Sequence, residues 1–448
     1  MFTDIAETFI VPGYRSDHSI IVISLKLGSF KAGKSYWKFN NSLLKDAEYV
    51  QQTKLLIQRI KTQYATEPQN RDGPVNGINN ANIVFSIDDK LFLETLLMEI
   101  RGQTISFATF KKRQECAKEA KLIQELESLQ QSSNMDDQTL LVLKQQELLE
   151  IRKKRLEGSL VRSRAKWVLE GEKPSKYFCN LENRHFVSKH MASLYTNTGN
   201  LIFDQNSILN ETKNHYKNLY SYKETKSIDL NNIFENIDVK KLSDSEKIKL
   251  EGPISKEEAL FSLKRMSNDT SPGINGFTAA FFKFFWLDIG DFVLRAINCA
   301  FETGELSESD KLSVITCIPK GDKDKQYLKN WRPISLLNIT YKIPSACIAN
   351  RIKSVLAKLI SEDQSGFISG RFIGDNIRLI YDLLFYTEKF NTPGMLLLVD
   401  FAAAFDSVSW EFTLDVMRFF NFGDSILSWV KLFYTNIQSA VVVIGHLS

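Results

Sequence analysis

An α+β fold is predicted by three observations. Long stretches with helical spacing of apolar residues occupy 88–129 and 136–169, a β-branched run of strand length stands at 20–25 with an apolar, strand-like run at 395–399, and a helix-start signature at Ser255 opens a further compact segment. The predicted architecture is mainly helical in its middle, with a mixed domain at the carboxyl end. The segment boundaries drawn from composition are 1–28, 29–250 and 251–448.

The elements follow in order. Tyr14-Arg15-Ser16-Asp17-His18-Ser19 is a polar turn feeding Ile20-Ile21-Val22-Ile23-Ser24-Leu25, a strand. A linker with Gly28 and Gly33 comes next, and apolar spacing of about 3.6 between Leu43 and Ile60 predicts a helix. Pro68 to Asn82, rich in Gly and Asn, reads as a loop. From Asp88 to Leu129 the pattern is helical, with Leu122, Leu126 and Leu129 on one stripe; Ser132-Ser133-Asn134 interrupts it. A second helix runs from about Asp136 towards Leu169, with Gly171 as its C-cap. Two antiparallel helices are expected, forming an arm and not an enzyme core. Phe85-Ser86-Ile87-Asp88-Asp89 opens the first of them, and its acids read as a cap on the helix dipole.

Alternation around Met191 to Tyr195 predicts a hairpin turning at Asn197 to Gly199, and the acidic, Asn-rich stretch from Tyr222 to Leu250 a flexible junction. Ser255 with Glu258 three residues on is a capping-box start for a helix. Later, Met395-Leu396-Leu397-Leu398-Val399 predicts a strand that aims Asp400 from a sheet edge. Phe412, Val416, Phe419 and Phe420 mark an amphipathic helix, and Asp406 reads as its cap. A further strand is predicted at Ala440 to Ile444.

Composition excludes some functions. Hydrophobic residues make up 43% and charged residues 25%, as in ordinary globular proteins. A net charge of +4 does not by itself argue for nucleic acid, but its distribution is uneven. Residues 152–176 hold nine basic and three acidic side chains, and 311–378 hold twelve and five. Both suit a phosphate-facing surface or simply solvated helix faces. The five cysteines are too scattered for a zinc site or a disulfide framework, no apolar run reaches the roughly 20 residues of a membrane helix, and the opening residues do not read as a signal peptide. The expectation is an intracellular protein, nuclear or cytoplasmic, without a membrane partner.

Chemistry concentrates in the last segment. Lys320 leaves an apolar run at Pro319 and enters a polar loop, where its ammonium can meet a polyanion; Arg332 sits between Trp331 and Pro333, where a fixed guanidinium can clamp phosphate through two bonds. Gly273 and Gly276, in Ser271-Pro272-Gly273-Ile274-Asn275-Gly276-Phe277, can bring backbone amides near phosphate. Those clusters, together with Asp363-Gln364-Ser365-Gly366-Phe367-Ile368, Gly370-Arg371 and the Asp400 run, resemble in their order the reverse transcriptases of LINE-type, non-LTR retrotransposons.

The resemblance implies the fingers and an incomplete palm of a right-hand polymerase in 251–448, after a helical linker and arm. It implies that Asp400 and the main-chain carbonyl of Phe401 bind Mg2+, that Phe405 excludes a 2′-hydroxyl, and that Lys320, Arg332, Phe401 and Phe405 meet the nucleotide. Gly273, Gln364, Gly366 and Arg371 are implied template contacts, with Asn275 where the family usually has Asp. Ser16-Asp17-His18 resembles the last motif of the endonucleases that precede such polymerases, making Asp17 and His18 a nuclease remnant. Tyr36 to Leu44 and Glu170 to Phe178 resemble the family's linker. The implied partners are an RNA template, a DNA primer and deoxynucleotide triphosphates. The family's Arg-Gln-Gly and paired-aspartate motifs do not occur after Asp400 in these residues, so the expectation is a fragment, inactive by itself, from the middle of a longer polyprotein. A non-catalytic RNA-binding remnant and a helical spacer protein are the alternatives.

Overall fold

In the computed structural model the described residues are 5–11, 20–25, 33, 35–66, 83–130, 135–163, 191–221, 239–268, 270–321, 323–401, 404–443 and 445–447. Asp17, His18, the 68–82 loop, Gly171 and the linker motif at 170–178 fall outside them.

Strands β1 (Ile5–Val11) and β2 (Ile20–Leu25) pair antiparallel. Helix α1 (Ala47–Tyr64) starts where the Asp46 carboxylate accepts from the Glu48 and Tyr49 amides. Helices α2 (Asp89–Gln130) and α3 (Met135–Ser163) form the expected antiparallel hairpin, cross-linked by Arg152 to Glu119 and Lys144 to Glu125. Asp88 caps α2 by accepting from the Lys90 amide at 2.6 Å, as its place in the sequence suggests. One expectation about α2 fails. Its first half carries Phe92, Leu93, Leu96, Leu97, Ile100 and Phe107 into the main core, and only the outer half, where Leu122 and Leu126 meet Leu148 of α3, is an arm. The apolar set of the first half spans a wider face than the Leu122, Leu126 and Leu129 stripe of a two-helix seam.

Strands β3 (Leu194–Tyr195) and β4 (Leu201–Ile202) make the predicted hairpin, with Gly199 at φ +85° in its turn. Helices α4 (Gln205–Tyr220), α5 (Asp244–Leu250) and α6 (Lys256–Arg265) follow, the last two begun by capping boxes at Ser243 and Ser255. The described part of the expected junction is therefore partly helical, and Leu242 and Leu250 are buried in the core. The Ser243-to-Glu246 spacing carries the same signal as Ser255 to Glu258 and could have been read from the sequence.

Helices α7 (Ala279–Phe284) and α8 (Trp286–Thr303) form the centre of the main core, with Phe277, Phe281, Phe282 and Phe285 fully enclosed. Arg295 of α8 grips Asp89 at 2.6 Å and the Ile83 carbonyl at 2.6 Å, locking α2 to this centre. Tyr49 of α1 bonds Thr104 of α2 at 2.7 Å. The core thus runs without a break from Phe39 to Phe433, across the boundary drawn at residue 250.

After α9 (Glu308–Lys311) come β5 (Leu312–Pro319) and β6 (Trp331–Leu336), then α10 (Ile339–Leu359), α11 (Gly374–Lys389), α12 (Trp410–Phe419), α13 (Asp424–Tyr434), β7 (Gln438–Val443) and β8 (His446–Leu447). The sheet order is β6-β5-β7-β8, with β5 antiparallel to β6 and parallel to β7. One face, including Ile315, Cys317, Trp331, Val441 and Val443, packs under Ile208, Leu209 and Tyr216 of α4. The expected strand at Met395–Val399 is not formed. Those five residues are 54–94% exposed and join no described ladder. Helix α11 buries none of its side chains, and Ile377, Leu379, Leu383 and Phe385 are all at least half exposed.

Candidate nucleotide and nucleic-acid site

The β5–β6 hairpin sets the positions of Lys320 and Arg332. Ile318 lies opposite Arg332 in register, and the Lys320 amide donates to the Asn330 carbonyl at 2.8 Å. Side chains alternate along a strand, so Lys320, Ile318 and Arg332 share the face opposite buried Cys317 and Trp331. Trp331 anchors the loop by donating its indole N–H to the Lys325 carbonyl at 2.9 Å. Arg332 is exposed, whereas the Lys320 ammonium donates to the Lys329 carbonyl at 2.7 Å and keeps two further N–H groups. Lys323, Lys325 and Lys329 lie on the same hairpin and outnumber Asp324 among its described residues, so the loop carries net positive charge that can face an anion.

The Ser271–Gly276 turn is a different case. The Asn275 amide donates to the Asn338 side chain at 3.2 Å, the Gly276 amide to the Gly273 carbonyl at 3.0 Å and the Phe277 amide to the Asn275 side chain at 3.1 Å. These amides serve the turn itself and do not point at phosphate. Both glycines have packing reasons: a Cβ on Gly273 would lie 2.4 Å from the Asn338 amide nitrogen, and one on Gly276, at φ +83°, 2.3 Å from the Trp37 ring. Tyr36 adds a hydrogen bond to the Pro272 carbonyl at 2.8 Å. Gly273 is therefore placed as a packing residue.

Sequence reasoning missed the residue that organises this turn. Asn338 precedes α10, and its side chain donates to the Ser309 carbonyl at 2.7 Å and to Asp310 at 3.1 Å, while Thr340 donates to the same Asp310 oxygen at 2.5 Å. Burial pushes the Asp310 carboxyl up from its ordinary value, against the donors Thr340, Asn338 and Ser307 and with Glu94 adding like charge. The folded chain therefore holds this proton more tightly than the unfolded chain. Its contribution to stability is complete at acid pH and declines as pH rises from about 4 through the raised value. Asp310→Asn keeps an acceptor for Thr340, so thermal melts from about pH 4 to 7 are expected to show the wild type losing stability relative to the variant as pH rises. Parallel curves would refute this.

Arg371 also has a structural position. Its two terminal nitrogens donate to the carbonyls of Ser361, Gln364 (2.7 Å), Ala357 (3.0 Å) and Ile360 (2.8 Å), closing the carboxyl end of α10 and the loop after it. All four terminal N–H groups are engaged, which leaves only Nε–H for a template. The implied template contact is thus replaced by a helix-end clasp, matching the cation to the negative end of the helix. Gln364 is exposed and Gly366 half-buried on the loop that Arg371 closes.

Asp400 and Phe401 lie on the unpaired, solvent-exposed segment, and Phe405 is 88% exposed. Asp406 does not cap α12; Ser409 does, accepting from the Phe412 amide at 3.0 Å. Asp406 instead accepts from the Tyr220 hydroxyl at 3.1 Å, which joins this loop to α4. Burial, with the Asp406 charge second, pushes the Tyr220 hydroxyl up to about 12. No group of three or more metal-binding side chains gathers anywhere among the described residues. One carboxylate and one peptide carbonyl in water do not make up a two-ion magnesium site.

The comparisons with known proteins bear on the sheet and these loops. Residues 318–446 match the family described as reverse transcriptase (RNA-dependent DNA polymerase). That segment is a reverse transcriptase domain. The match takes in Lys320, Arg332, the Arg371 loop and Asp400. Over 434 residues the chain is 29% identical to a Xenopus laevis protein named "Transposon TX1 uncharacterized 149 kDa protein", covering 96% of this chain and 31% of that one. Over 151 residues it is 28% identical to the "Putative 115 kDa protein in type-1 retrotransposable element R1DM" of Drosophila melanogaster, covering 34% of this chain and 14% of that one. Both relatives carry the names of transposable elements. The chain spans about a third of the first relative's length.

Proposed function

We propose that this chain supplies the fingers and the start of the palm of a retroelement RNA-directed DNA polymerase. The observation that supports this is the basic hairpin of half-buried Lys320 and exposed Arg332 inside the matched segment. In this reading the two cations neutralise triphosphate or template phosphate, and Asp400 with the Phe401 carbonyl contributes to magnesium binding. Phe405 contacts the sugar. Gln364 and Gly366 lie beside the template strand, and Arg371 holds their loop. Because the donors around Asp400 do not complete a two-ion site, these 448 residues alone are expected not to extend a primer.

Purified chain is expected to bind a primed RNA template with an affinity that falls steeply as salt rises. Lys320→Ala and Arg332→Ala should each lower the slope of log affinity against log salt by about 0.7–0.9. Salt-independent or absent binding refutes the nucleic-acid reading, and magnesium-dependent extension abolished by Asp400→Ala refutes the lack of activity. The helical-spacer alternative is favoured by one observation: in the arm, Arg152 and Lys144 are paired with Glu119 and Glu125. Concentration-dependent self-association of the chain with no RNA binding would support it.

A further inference from the structure

The loop that Arg371 clasps displays an aromatic ring in an unusual way. Ser365 and Ile368 on either side of Phe367 are both 8% exposed, so the loop is anchored inward at two points. Between them Phe367 stands 95% exposed with φ +63°. Bulky L-residues are strained in this left-handed region, and an exposed phenylalanine gains little from burial to offset that strain. Its ring edge meets the face of Phe405 or the reverse, with centroids 6.4 Å apart and planes at 89°. Phe405 is itself 88% exposed and belongs to the loop that follows Asp400. Two rings from loops far apart in sequence are therefore held together in water.

We infer that Phe367 and Phe405 form a seat on which an unpaired nucleobase stacks. This rests on the nucleic-acid reading given above. The chemistry favours a base over a phosphate, because Asp400 and Asp406 flank Phe405 in sequence and Asp406 is fixed nearby by Tyr220. Carboxylates repel backbone phosphate but accept from the exocyclic amines of bases. Aromatic faces take any base, so the seat is tolerant of sequence. The strained backbone at Phe367 is the means of display: a ring packed back onto the loop would not reach Phe405.

The test uses the full chain and single-stranded RNA carrying one 2-aminopurine, followed by anisotropy for binding and by emission for stacking. Wild type is expected to quench the probe on binding. Phe367→Ala and Phe405→Ala should restore emission and weaken binding about tenfold, and Phe367→Leu, which keeps apolar bulk without a π face, should do the same. Phe367→Tyr should retain both signals. Phe367→Gly should lose stacking yet raise the melting temperature by about 1–2 °C, since glycine relieves the left-handed strain. Salt-sensitive RNA binding with quenching unchanged in the Ala and Leu variants overturns the seat and leaves the nucleic-acid reading intact. Absence of RNA binding by the wild type overturns both.

Discussion

Arg351→Ala is expected to destabilise the chain by about 3 kcal/mol, measured by chemical denaturation. Arg351 lies on α10 with its side chain only 10% exposed. It forms a two-pronged pair with Glu258 at 2.8 Å on both sides, and its remaining donors reach the carbonyls of Leu250 (3.0 Å), Gly252 (2.8 Å) and Pro253 (2.7 Å). One guanidinium thus fixes the entry into α6, the end of α5 and the bend between them. Removing it leaves Glu258 facing only its capping amide and takes a donor from the carbonyls of Leu250, Gly252 and Pro253. Glu258 is one-third exposed, so water recovers part of the loss and the lower end of the buried-pair range applies. Arg351→Lys restores charge without the planar fork and should recover less than half. A pH dependence follows. The Arg351 guanidinium holds the Glu258 carboxyl below its ordinary value, so this contribution is complete above the ordinary carboxylate range and is lost as pH falls through the lowered value. In Arg351→Ala that acid-side loss should shrink. A stability change under 1 kcal/mol would contradict the geometry.

Gly276→Ala is the second large effect, with an expected loss of at least about 3 kcal/mol. Two penalties add. The φ of +83° is unfavourable for alanine, and the new methyl would lie 2.3 Å from the Trp37 ring and 2.4 Å from its carbonyl. Trp37 cannot move freely: it packs against Phe39 and Phe277 at 6.2 Å and 5.2 Å, and Arg101 lies over it at 5.2 Å. The Phe39 amide also donates to the Gly276 carbonyl at 2.9 Å. Gly199→Ala separates the terms, because φ is +85° there but nothing lies within 4 Å. It should lose only the conformational part, about 1 kcal/mol. Comparable melting temperatures for the two variants would rule out the steric argument.

Local rules made much of the fold legible. The Ser255 cap, the Asp88 cap, the α2–α3 hairpin and the β3–β4 turn each depend on residues a few positions apart, and such signals are printed in the sequence. What failed depends on distant partners. An apolar run such as Met395–Val399 becomes a strand only when another strand supplies its hydrogen bonds, and nothing in those five residues says whether one is present. Likewise Arg371 reads as a free cation until four carbonyls converge on it, and Gly273 as a phosphate cradle until Asn338 fills the space. The hairpin position of Lys320 and Arg332 is legible because a basic residue beside a proline at a strand end is a local feature. Asn338, Asp310 and Phe367 were passed over because their significance lies in buried neighbours, or in a backbone angle.

Helix α2 is continuous over 42 residues, which corresponds to about 63 Å of rigid rod. Its inner half is bolted into the main core and its outer half carries α3. One residue inserted near Lys112 would leave the bolted end where it is and swing everything beyond by about 100° around the rod. The outer arm therefore behaves as a crankshaft, whose bearing of action is set by a residue count: lineages that gain or lose single residues there would redirect the arm, while gains of seven would only lengthen its reach by about 10 Å.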